Sequence, residues 1–300
     1  MYLLTEAEIS HLNKFGYVVC ETGLEGSQVL LDAQRQYKKL YKLTEDGGYP
    51  YFRIYFDYSG KKNISGIEMP FHPEIINKEI VAFLNASNLA RGVKDVLGEG
   101  EISMSLSRYH MTGNRFGFVG SWHRDGNIGD TKQLQANISL FDERSLEVIP
   151  GSHIKEMPGV EGLINEFAQA SSGQSLHLKC KAGNIVFFNP AILHRGFSYS
   201  FRANMHFGFS LSSNCKTSKF DNALGFSQDW VDILSNKNSI IVDQNLKIYI
   251  QRKGYFYSFW KFLKTLASYV FFFMPYNFIL FRKLPIRPNL RFRGFFKKQS

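Results

Sequence analysis

The first hundred residues carry apolar side chains at helical spacing, interrupted by one short strand-like run. Thr5-Glu6-Ala7-Glu8 fits a capping box, in which the Thr hydroxyl and the Glu carboxylate satisfy backbone donors at a helix start. A β-rich run covers 17–20, and apolar positions three and four apart predict a helix over 26–43 and a helical region over 74–97. The chain therefore begins with a helical part that precedes the main sheet.

From residue 101 onward the pattern changes to short strands separated by turn signals. Alternating apolar residues begin at Ile102, and further strands are indicated at 134–141, 146–149, 181–190 and 202–211. These strands do not alternate with helices, which argues against a parallel β/α sheet. The predicted fold is mainly β (α+β): a double-stranded β-helix, or jelly-roll, barrel of the cupin-like kind. It would have flanking N-terminal helices and a helical C-terminal appendage.

One strand-like stretch carries the strongest candidate for chemistry. His123 and Asp125 are two residues apart, so on an extended segment their side chains point to the same face. They supply two ligands of a 2-His-1-carboxylate site, which holds Fe(II) by three ligands and leaves positions open for oxygen and a cosubstrate. The third ligand should be a histidine much further along, and His194 is the candidate. The spacing alone also fits a surface histidine beside a turn at 125–127.

The composition agrees with one large folded domain in a reducing compartment. The chain has 300 residues, 44% of them apolar, and 9 prolines, which is typical of a globular protein with a sizeable core. Cys20, Cys180 and Cys215 are widely spaced and form no Cys-x-x-Cys pair, so neither a disulfide framework nor a thiolate zinc site is indicated. The start lacks a basic segment followed by an apolar run, so we expect no secretory signal and a cytoplasmic protein.

The net charge of +10 belongs to one end of the chain. Residues 244–300 hold 12 Lys and Arg and no Asp or Glu, so the remaining 243 residues carry 24 basic and 26 acidic side chains. The expected organisation is a barrel domain with its N-terminal helical part over 1–215, an extension of that domain over 216–250 and a basic, aromatic tail over 251–300. The charge therefore implies a partner for the tail and not for the barrel.

The tail has the pattern of an amphipathic helix. Phe259 and Trp260 fall on one side of a helix and Lys261 and Lys264 on the other, which is typical of a helix lying in a membrane interface. The uncharged run 265–281 has 17 residues, whereas a transmembrane helix needs about 20. We expect the tail to bind an anionic membrane surface and not nucleic acid, which would place the protein peripherally on the inner face of a membrane. The alternatives are a true span, or packing on the barrel or a subunit.

Four motifs, in order, resemble those of the phytanoyl-CoA dioxygenase-like family of Fe(II)- and 2-oxoglutarate-dependent oxygenases. The motifs are Leu4-Thr5-Glu6 with Phe15-Gly16-Tyr17-Val18-Val19, Trp122-His123-Arg124-Asp125, Leu146-Glu147-Val148-Ile149-Pro150-Gly151-Ser152-His153, and Ala182-Gly183-Asn184-Ile185-Val186-Phe187-Phe188-Asn189 with His194-Arg195-Gly196. The resemblance runs from about Leu3 to about Leu211. It implies a jelly-roll oxygenase in which 2-oxoglutarate loses CO2 and becomes succinate while a C–H bond of the substrate is hydroxylated.

The resemblance assigns the iron ligands residue by residue. His123, Asp125 and His194 match the family's ligands, and these residues are the expected catalytic centre. The carboxylate of Asp125 favours oxygen insertion, because halogenating relatives lack it so that a halide can bind. The resemblance therefore implies Fe(II), 2-oxoglutarate and O2 as the cofactor and cosubstrates.

The family also places an arginine on the strand after the distal histidine, where it pairs with the far carboxylate of 2-oxoglutarate. Arg202 matches that position, and a planar guanidinium suits a two-pronged contact with a carboxylate. Arg202 follows His194 by only eight residues, which is shorter than the family's usual spacing. Arg195 and Arg108 are therefore alternatives for this anchor.

Other polar residues receive weaker assignments. Gln135 and Asn137 share one face of a strand and are candidates for holding the cosubstrate. His153 resembles a turn or supporting residue of the family and is left out of the metal site. The remaining candidates, interpreted as packing or surface histidines, are His110, His177 and His206.

The sequence therefore predicts an Fe(II)/2-oxoglutarate-dependent dioxygenase that hydroxylates an unidentified small molecule. The tail suggests that this substrate is lipid-like or lipid-linked. One alternative is a non-catalytic, membrane-associated binding protein that kept the barrel, which the short interval before Arg202 would favour. Another is a metal-dependent isomerase on a cupin-like barrel, which would need iron but no 2-oxoglutarate.

Overall fold

The computed structural model describes residues 3–46, 52–56, 62–68, 78–98, 102–112, 118–119, 121–157, 175–198 and 202–211. The extension at 216–250 and the tail at 251–300, with its predicted membrane contact, lie outside these residues. In the part of the chain that the structure describes, no helix is both long and apolar enough to cross a bilayer. Cys20 and Cys180 are buried free thiols, and Cys215 lies outside the described ranges.

Helix α1 (Glu6–Phe15) begins and ends as the sequence predicts. The Thr5 hydroxyl accepts a hydrogen bond from the Glu8 backbone N–H at 3.3 Å, and the Glu8 carboxylate accepts one from the Thr5 N–H at 2.7 Å. Gly16 ends the helix with a φ of 84°, the left-handed conformation that favours glycine. Strand β1 (Tyr17–Cys20) follows at once, so the predicted opening is confirmed.

Three further helices form a layer beside the larger sheet: α2 (Gln28–Glu45), α3 (Lys78–Ala86) and α4 (Leu89–Leu97). The Ser27 hydroxyl caps α2, so the predicted second helix is confirmed with slightly shifted ends. The region predicted as helical over 74–97 is two helices in its described part. The break lies at Ser87, whose hydroxyl donates to the Leu84 carbonyl, and at Asn88, whose φ of 54° is left-handed.

Ten more strands follow β1: β2 (Phe52–Phe56), β3 (Lys62–Glu68), β4 (Ile102–Thr112), β5 (Phe118–Val119), β6 (Gln133–Ser139), β7 (Glu143–Val148), β8 (Leu176–Cys180), β9 (Ile185–Phe188), β10 (His194–Ser198) and β11 (Arg202–Leu211). The larger sheet has the order β1-β9-β6-β11-β4-β3-β2, and the smaller has β5-β10-β7-β8. Every described pair of neighbouring strands is antiparallel. Two such sheets face each other as a jelly roll, so the predicted mainly β fold class is confirmed.

The larger sheet separates an apolar face from a polar one. On the side of the helices, alternate residues of β6 and β11 join the main core: Leu134, Ala136, Ile138, Met205 and Phe207. On the inward side, towards the smaller sheet, the alternate residues are buried but polar: Gln135, Asn137, Arg202, Asn204 and His206. Buried polar residues in a row are unusual for a packed core, so this face marks the wall of a candidate site.

Candidate functional site

Two histidines and one aspartate lie close together beside the inward face of the larger sheet. His123 and His194 lie opposite each other in an isolated antiparallel bridge, in which each backbone N–H donates to the other carbonyl at 3.1 Å. Their ring centroids are 4.4 Å apart. The ligand atoms of His123, Asp125 and His194 all lie within 4.8 Å of one another. The three residues that the sequence predicts as ligands are therefore brought together, and this set can hold a metal ion.

Backbone contacts fix the segment that carries the aspartate. The N–H groups of Asp125 and Gly126 both donate to the Pro190 carbonyl, at 2.8 and 3.1 Å. A Cβ at Gly126 would lie 3.0 Å from the Pro190 Cβ, so the two chain segments approach more closely than most side chains allow. The Arg124 side chain points the other way and donates to backbone carbonyls, including that of Lys155 at 3.0 Å. Alternation along the segment thus turns the candidate ligand Asp125 and the supporting residue Arg124 to opposite sides.

The two imidazoles are held in the tautomer that metal binding needs. The Nδ1 of His123 lies 2.7 Å from the Ser121 carbonyl, and the Nδ1 of His194 lies 2.9 Å from the Ile192 carbonyl. A carbonyl oxygen only accepts hydrogen bonds, so each Nδ1 carries the proton and each Nε2 presents its lone pair. These Nε2 atoms lie 4.0 Å (His123) and 3.7 Å (His194) from the nearest Asp125 carboxylate oxygen. The unprotonated nitrogens therefore face the carboxylate across the metal position.

The carboxylate of Asp125 is held ionised. Burial acts to raise the pKa of this carboxyl group, but the neighbouring His194 and His123 imidazoles and the amide of Gln135 outweigh that effect and hold the pKa well below its usual range. The Gln135 Nε2 donates to the Asp125 Oδ2 at 2.9 Å and so fixes the rotation of the carboxylate. Two neutral imidazoles and one carboxylate form the donor set suited to Fe(II) with open positions. The residues present fit the predicted metal.

Arg202 lies on the inward face, buried and without a carboxylate partner. It is 6% exposed, and among the described residues no carboxylate lies within ion-pair distance of its guanidinium. Its Nε, also buried, has no hydrogen-bond partner in the described ranges. Burial lowers the pKa of Arg202, and the negative charge of Glu143 and the phenol of Tyr37 only partly offset this. A buried guanidinium in this state is suited to an incoming carboxylate.

The structure gives Gln135 and Asn137 contacts of their own. Gln135 holds Asp125, as described above, and the Asn137 Oδ1 accepts a hydrogen bond from the Nδ1 of His206. Their predicted contact with a cosubstrate stays a prediction. Both residues nevertheless line the same inward face as Arg202.

Arg195 and Arg108, the alternative anchors for 2-oxoglutarate, lie on different sides of the barrel wall. Arg195 points to the far side of β10, where its Nε donates to the Glu147 Oε2 at 2.6 Å and its guanidinium lies 4.7 Å above the centre of the Trp122 ring. Since all three side chains are fully buried in that contact, Arg195 does not reach the metal position. Arg108 pairs in register with His206 and its charge lowers the pKa of that imidazole, so Arg108 belongs to the inward face.

The histidines outside the triad have distinct positions. His153 lies in a buried turn, where its Nε2 donates to the Asn13 carbonyl at 3.0 Å, in agreement with the supporting role predicted for it. His177 is partly exposed, with its Nε2 3.7 Å from the Glu147 Oε1. His110 and His206, interpreted from the sequence as packing or surface residues, stack with ring centroids 4.9 Å apart. They lie on the inward face beside Arg202. Along β4, His110 alternates onto the same face as Arg108, and along β11, His206 alternates onto the same face as Arg202. This spacing was a sequence signal that could have identified both histidines.

Comparison with known proteins agrees with this geometry. The sequence model of one family, phytanoyl-CoA dioxygenase (PhyH), matches residues 12–200. No curated protein matches the chain significantly.

Solved structures share the fold. EctD from S. alaskensis with bound Fe has a TM-score of 0.56 at 20% identity, over 73% of this chain and 81% of that one. The same enzyme with 2-oxoglutarate and 5-hydroxyectoine has a TM-score of 0.53 at 20% identity, over 71% and 78%. SnoK, a non-heme alpha ketoglutarate dependent carbocyclase from nogalamycin biosynthesis, has a TM-score of 0.52 at 16% identity, over 69% and 84%. At these identities the likeness shows the fold.

Proposed function

The chain belongs to the phytanoyl-CoA dioxygenase family, and on that premise we propose that His123, Asp125 and His194 bind its Fe(II) and that Arg202 binds its 2-oxoglutarate. The protein is accordingly an Fe(II)- and 2-oxoglutarate-dependent dioxygenase. The observation that carries the proposal is Arg202, a buried arginine with no carboxylate partner among the described residues, on the inward face from which Gln135 contacts Asp125.

Each proposed residue has a defined task. When bound, Fe(II) together with 2-oxoglutarate and O2 supplies the oxidising chemistry, in which 2-oxoglutarate leaves as succinate and CO2 and one oxygen atom enters a C–H bond of the substrate. His123 and His194 present unprotonated Nε2 atoms because their Nδ1 protons are held by carbonyls. Asp125 supplies the negative charge, and Gln135 keeps that carboxylate turned towards the two imidazoles. Arg202 fixes the far end of the cosubstrate by charge and by its remaining N–H donors.

Hydroxylation is the proposed outcome of this chemistry, and the retained carboxylate of Asp125 supports it. No feature of the described site favours a non-catalytic binding barrel, since the three ligand candidates and the buried arginine are all in place.

The substrate proposal is drawn from the tail. We propose an amphiphilic, lipid-like or lipid-linked small molecule, taken up where residues 251–300 hold the protein at an anionic membrane surface. The support is the composition of residues 244–300, with 12 basic and no acidic side chains among dense aromatics. Co-sedimentation of the full chain with phosphatidylglycerol vesicles, but not phosphatidylcholine vesicles, is expected. Equal recovery with both lipids would contradict the charge argument.

The site proposal is tested by anaerobic titration with Fe(II) and then 2-oxoglutarate, following the visible charge-transfer band of the chelate. We expect His123→Ala to abolish the band and Arg202→Gln to raise the 2-oxoglutarate concentration that the band requires by about a hundredfold, the effect of truncating one partner of a buried charge pair. Arg144→Gln is the matched control, because Arg144 is an exposed arginine on β7. An unchanged titration in Arg202→Gln would remove Arg202 as the anchor, and no band in the unaltered protein would contradict the proposed site.

A further inference from the structure

Two stacked histidines lie on the inward face beside the proposed cosubstrate anchor. His110 is on β4 and His206 is on β11, and these strands are antiparallel neighbours. In the register of the pair, His110 faces Asn204, so its diagonal neighbours on β11 are Arg202 and His206. Diagonal positions are within reach of ring and guanidinium side chains. The triad does not use either imidazole.

His110 holds the guanidinium of Arg202. The Arg202 Nη2 lies 2.9 Å from the His110 Nδ1, and an arginine can only donate, so Nδ1 is the acceptor. The imidazole is therefore neutral, with its proton on Nε2. This contact uses one of the five N–H donors of Arg202 and leaves the others for a carboxylate.

His206 holds His110 in turn. The two rings stack with centroids 4.9 Å apart and planes 26° apart. His206 is itself fixed, because its Nδ1 is hydrogen-bonded to Asn137 and the ring is buried. The His110 ring is thus held by a stacked ring on its face and by a guanidinium at its edge.

We propose that His110 is a positioning residue for 2-oxoglutarate, which orients Arg202 through a neutral acceptor and leaves its positive charge intact. The proposal rests on Arg202 being the cosubstrate anchor. An Asp or Glu at this place would also accept from Arg202, but its charge would compete with the carboxylate of the cosubstrate. A neutral imidazole orients the guanidinium without that competition.

The test compares substitutions at His110 by anaerobic 2-oxoglutarate titration of the Fe(II)-loaded full chain. His110→Leu removes the acceptor, and we expect the dissociation constant of 2-oxoglutarate to rise about tenfold to a hundredfold, the range for a hydrogen bond to a charged group. His110→Asn keeps an acceptor near the place of Nδ1 and should stay within about threefold of the unaltered protein. His110→Asp should bind 2-oxoglutarate more weakly than His110→Leu. Fe(II) affinity should not change in any of them.

Control variants distinguish the positioning role of His110 from the anchoring role of Arg202. His11→Leu removes another half-buried imidazole with ring contacts, on α1 and outside the inward face, and should leave 2-oxoglutarate binding unchanged. If Arg202→Gln weakens binding while His110→Leu does not, the positioning role is wrong and the anchor stands. If Arg202→Gln has no effect, both are wrong. Equal loss in His110→Leu and His110→Asn would overturn the acceptor role, because packing alone would explain it.

A second measurement needs neither iron nor turnover. Nitrogen-15 NMR of histidine-labelled metal-free protein distinguishes protonated from unprotonated ring nitrogens, with His110→Asn used for assignment. We expect an unprotonated Nδ1 on His110 that shifts in Arg202→Gln. A protonated Nδ1 would overturn the proposal, even if the Leu variant failed to fold.

Discussion

The buried pair Glu147–Arg195 allows a sharp test of how the metal site is supported. Arg195 follows the proposed ligand His194 on β10, faces Glu147 on β7 and lies over Trp122, which precedes the proposed ligand His123. The Arg195 Nε and the Glu147 Oε2 are 2.6 Å apart, and both side chains are 0% exposed. The pair is therefore a desolvated ion pair directly behind the His123–His194 bridge.

Replacing Glu147 by Leu removes the carboxylate that contacts the buried Nε of Arg195. Removing one partner of a buried pair costs about 3–5 kcal/mol, whereas exposed pairs contribute about 0–1 kcal/mol. Since both side chains here are fully buried, the larger figure applies. With a shift of about 2–4 °C per kcal/mol for a chain of this size, the melting temperature should fall by roughly 10 °C. The affinity for Fe(II) should fall as well, because the His123–His194 bridge, which aligns the two imidazoles, loses the ion pair packed behind it.

The assay is urea unfolding of Glu147→Leu, Arg195→Met and the double variant, together with Fe(II) titration. The double variant replaces both charges by apolar groups, so it should recover most of the stability that each single change loses. Glu25→Leu is the matched control: its exposed pair with Lys181 has a 3.1 Å contact, and we expect no measurable change. A loss below about 1 kcal/mol in Glu147→Leu, or strictly additive losses in the double variant, would refute the reasoning.

Three further outcomes are expected. Gln135→Leu removes the amide that holds Asp125 and should weaken Fe(II) binding about tenfold or more without loss of fold, as measured by titration and circular dichroism. Gly126→Ala places a Cβ 3.0 Å from Pro190 and should destabilise the protein by about 1–3 kcal/mol in urea. Burial holds the pKa of His206 well below its usual value. Below about pH 6.5 this histidine is protonated in the unfolded chain but not in the folded chain, so the free energy of unfolding should decrease as the pH falls. His206→Phe, which keeps a ring in the stack, should flatten that part of the pH profile, and an unchanged slope would contradict the assignment.

The features that could be predicted from the sequence are those set by near neighbours in the chain. The Thr5–Glu8 cap and the left-handed Gly16 depend on three or four consecutive residues, and both are present. The shared face of His123 and Asp125 follows from strand alternation. The third ligand, His194, was placed by motif order, and the two segments then meet in one backbone bridge.

The features that could not be predicted depend on register between distant strands. His110 and Arg202 are 92 residues apart, and only the pairing of β4 with β11 shows that they are diagonal neighbours. A slip of one residue in that pairing would turn His110 to the apolar side of the sheet. No local pattern fixes such a register, so strand alternation could group His206 with Arg202 and His110 with Arg108, but it could not bring the two pairs together.

The dipeptide His194-Arg195 shows why the two faces of β10 cannot vary independently. Alternation turns His194 towards Asp125 and turns Arg195 towards Glu147, at 3.7 and 2.6 Å respectively. The same backbone thus holds a proposed ligand, which binds a metal through an unprotonated Nε2, and a buried cation paired with a carboxylate. A change that relaxes the ion pair moves the strand that carries the ligand. Glu147 and Trp122 therefore support the position of His194 through Arg195, although neither belongs to the proposed metal site.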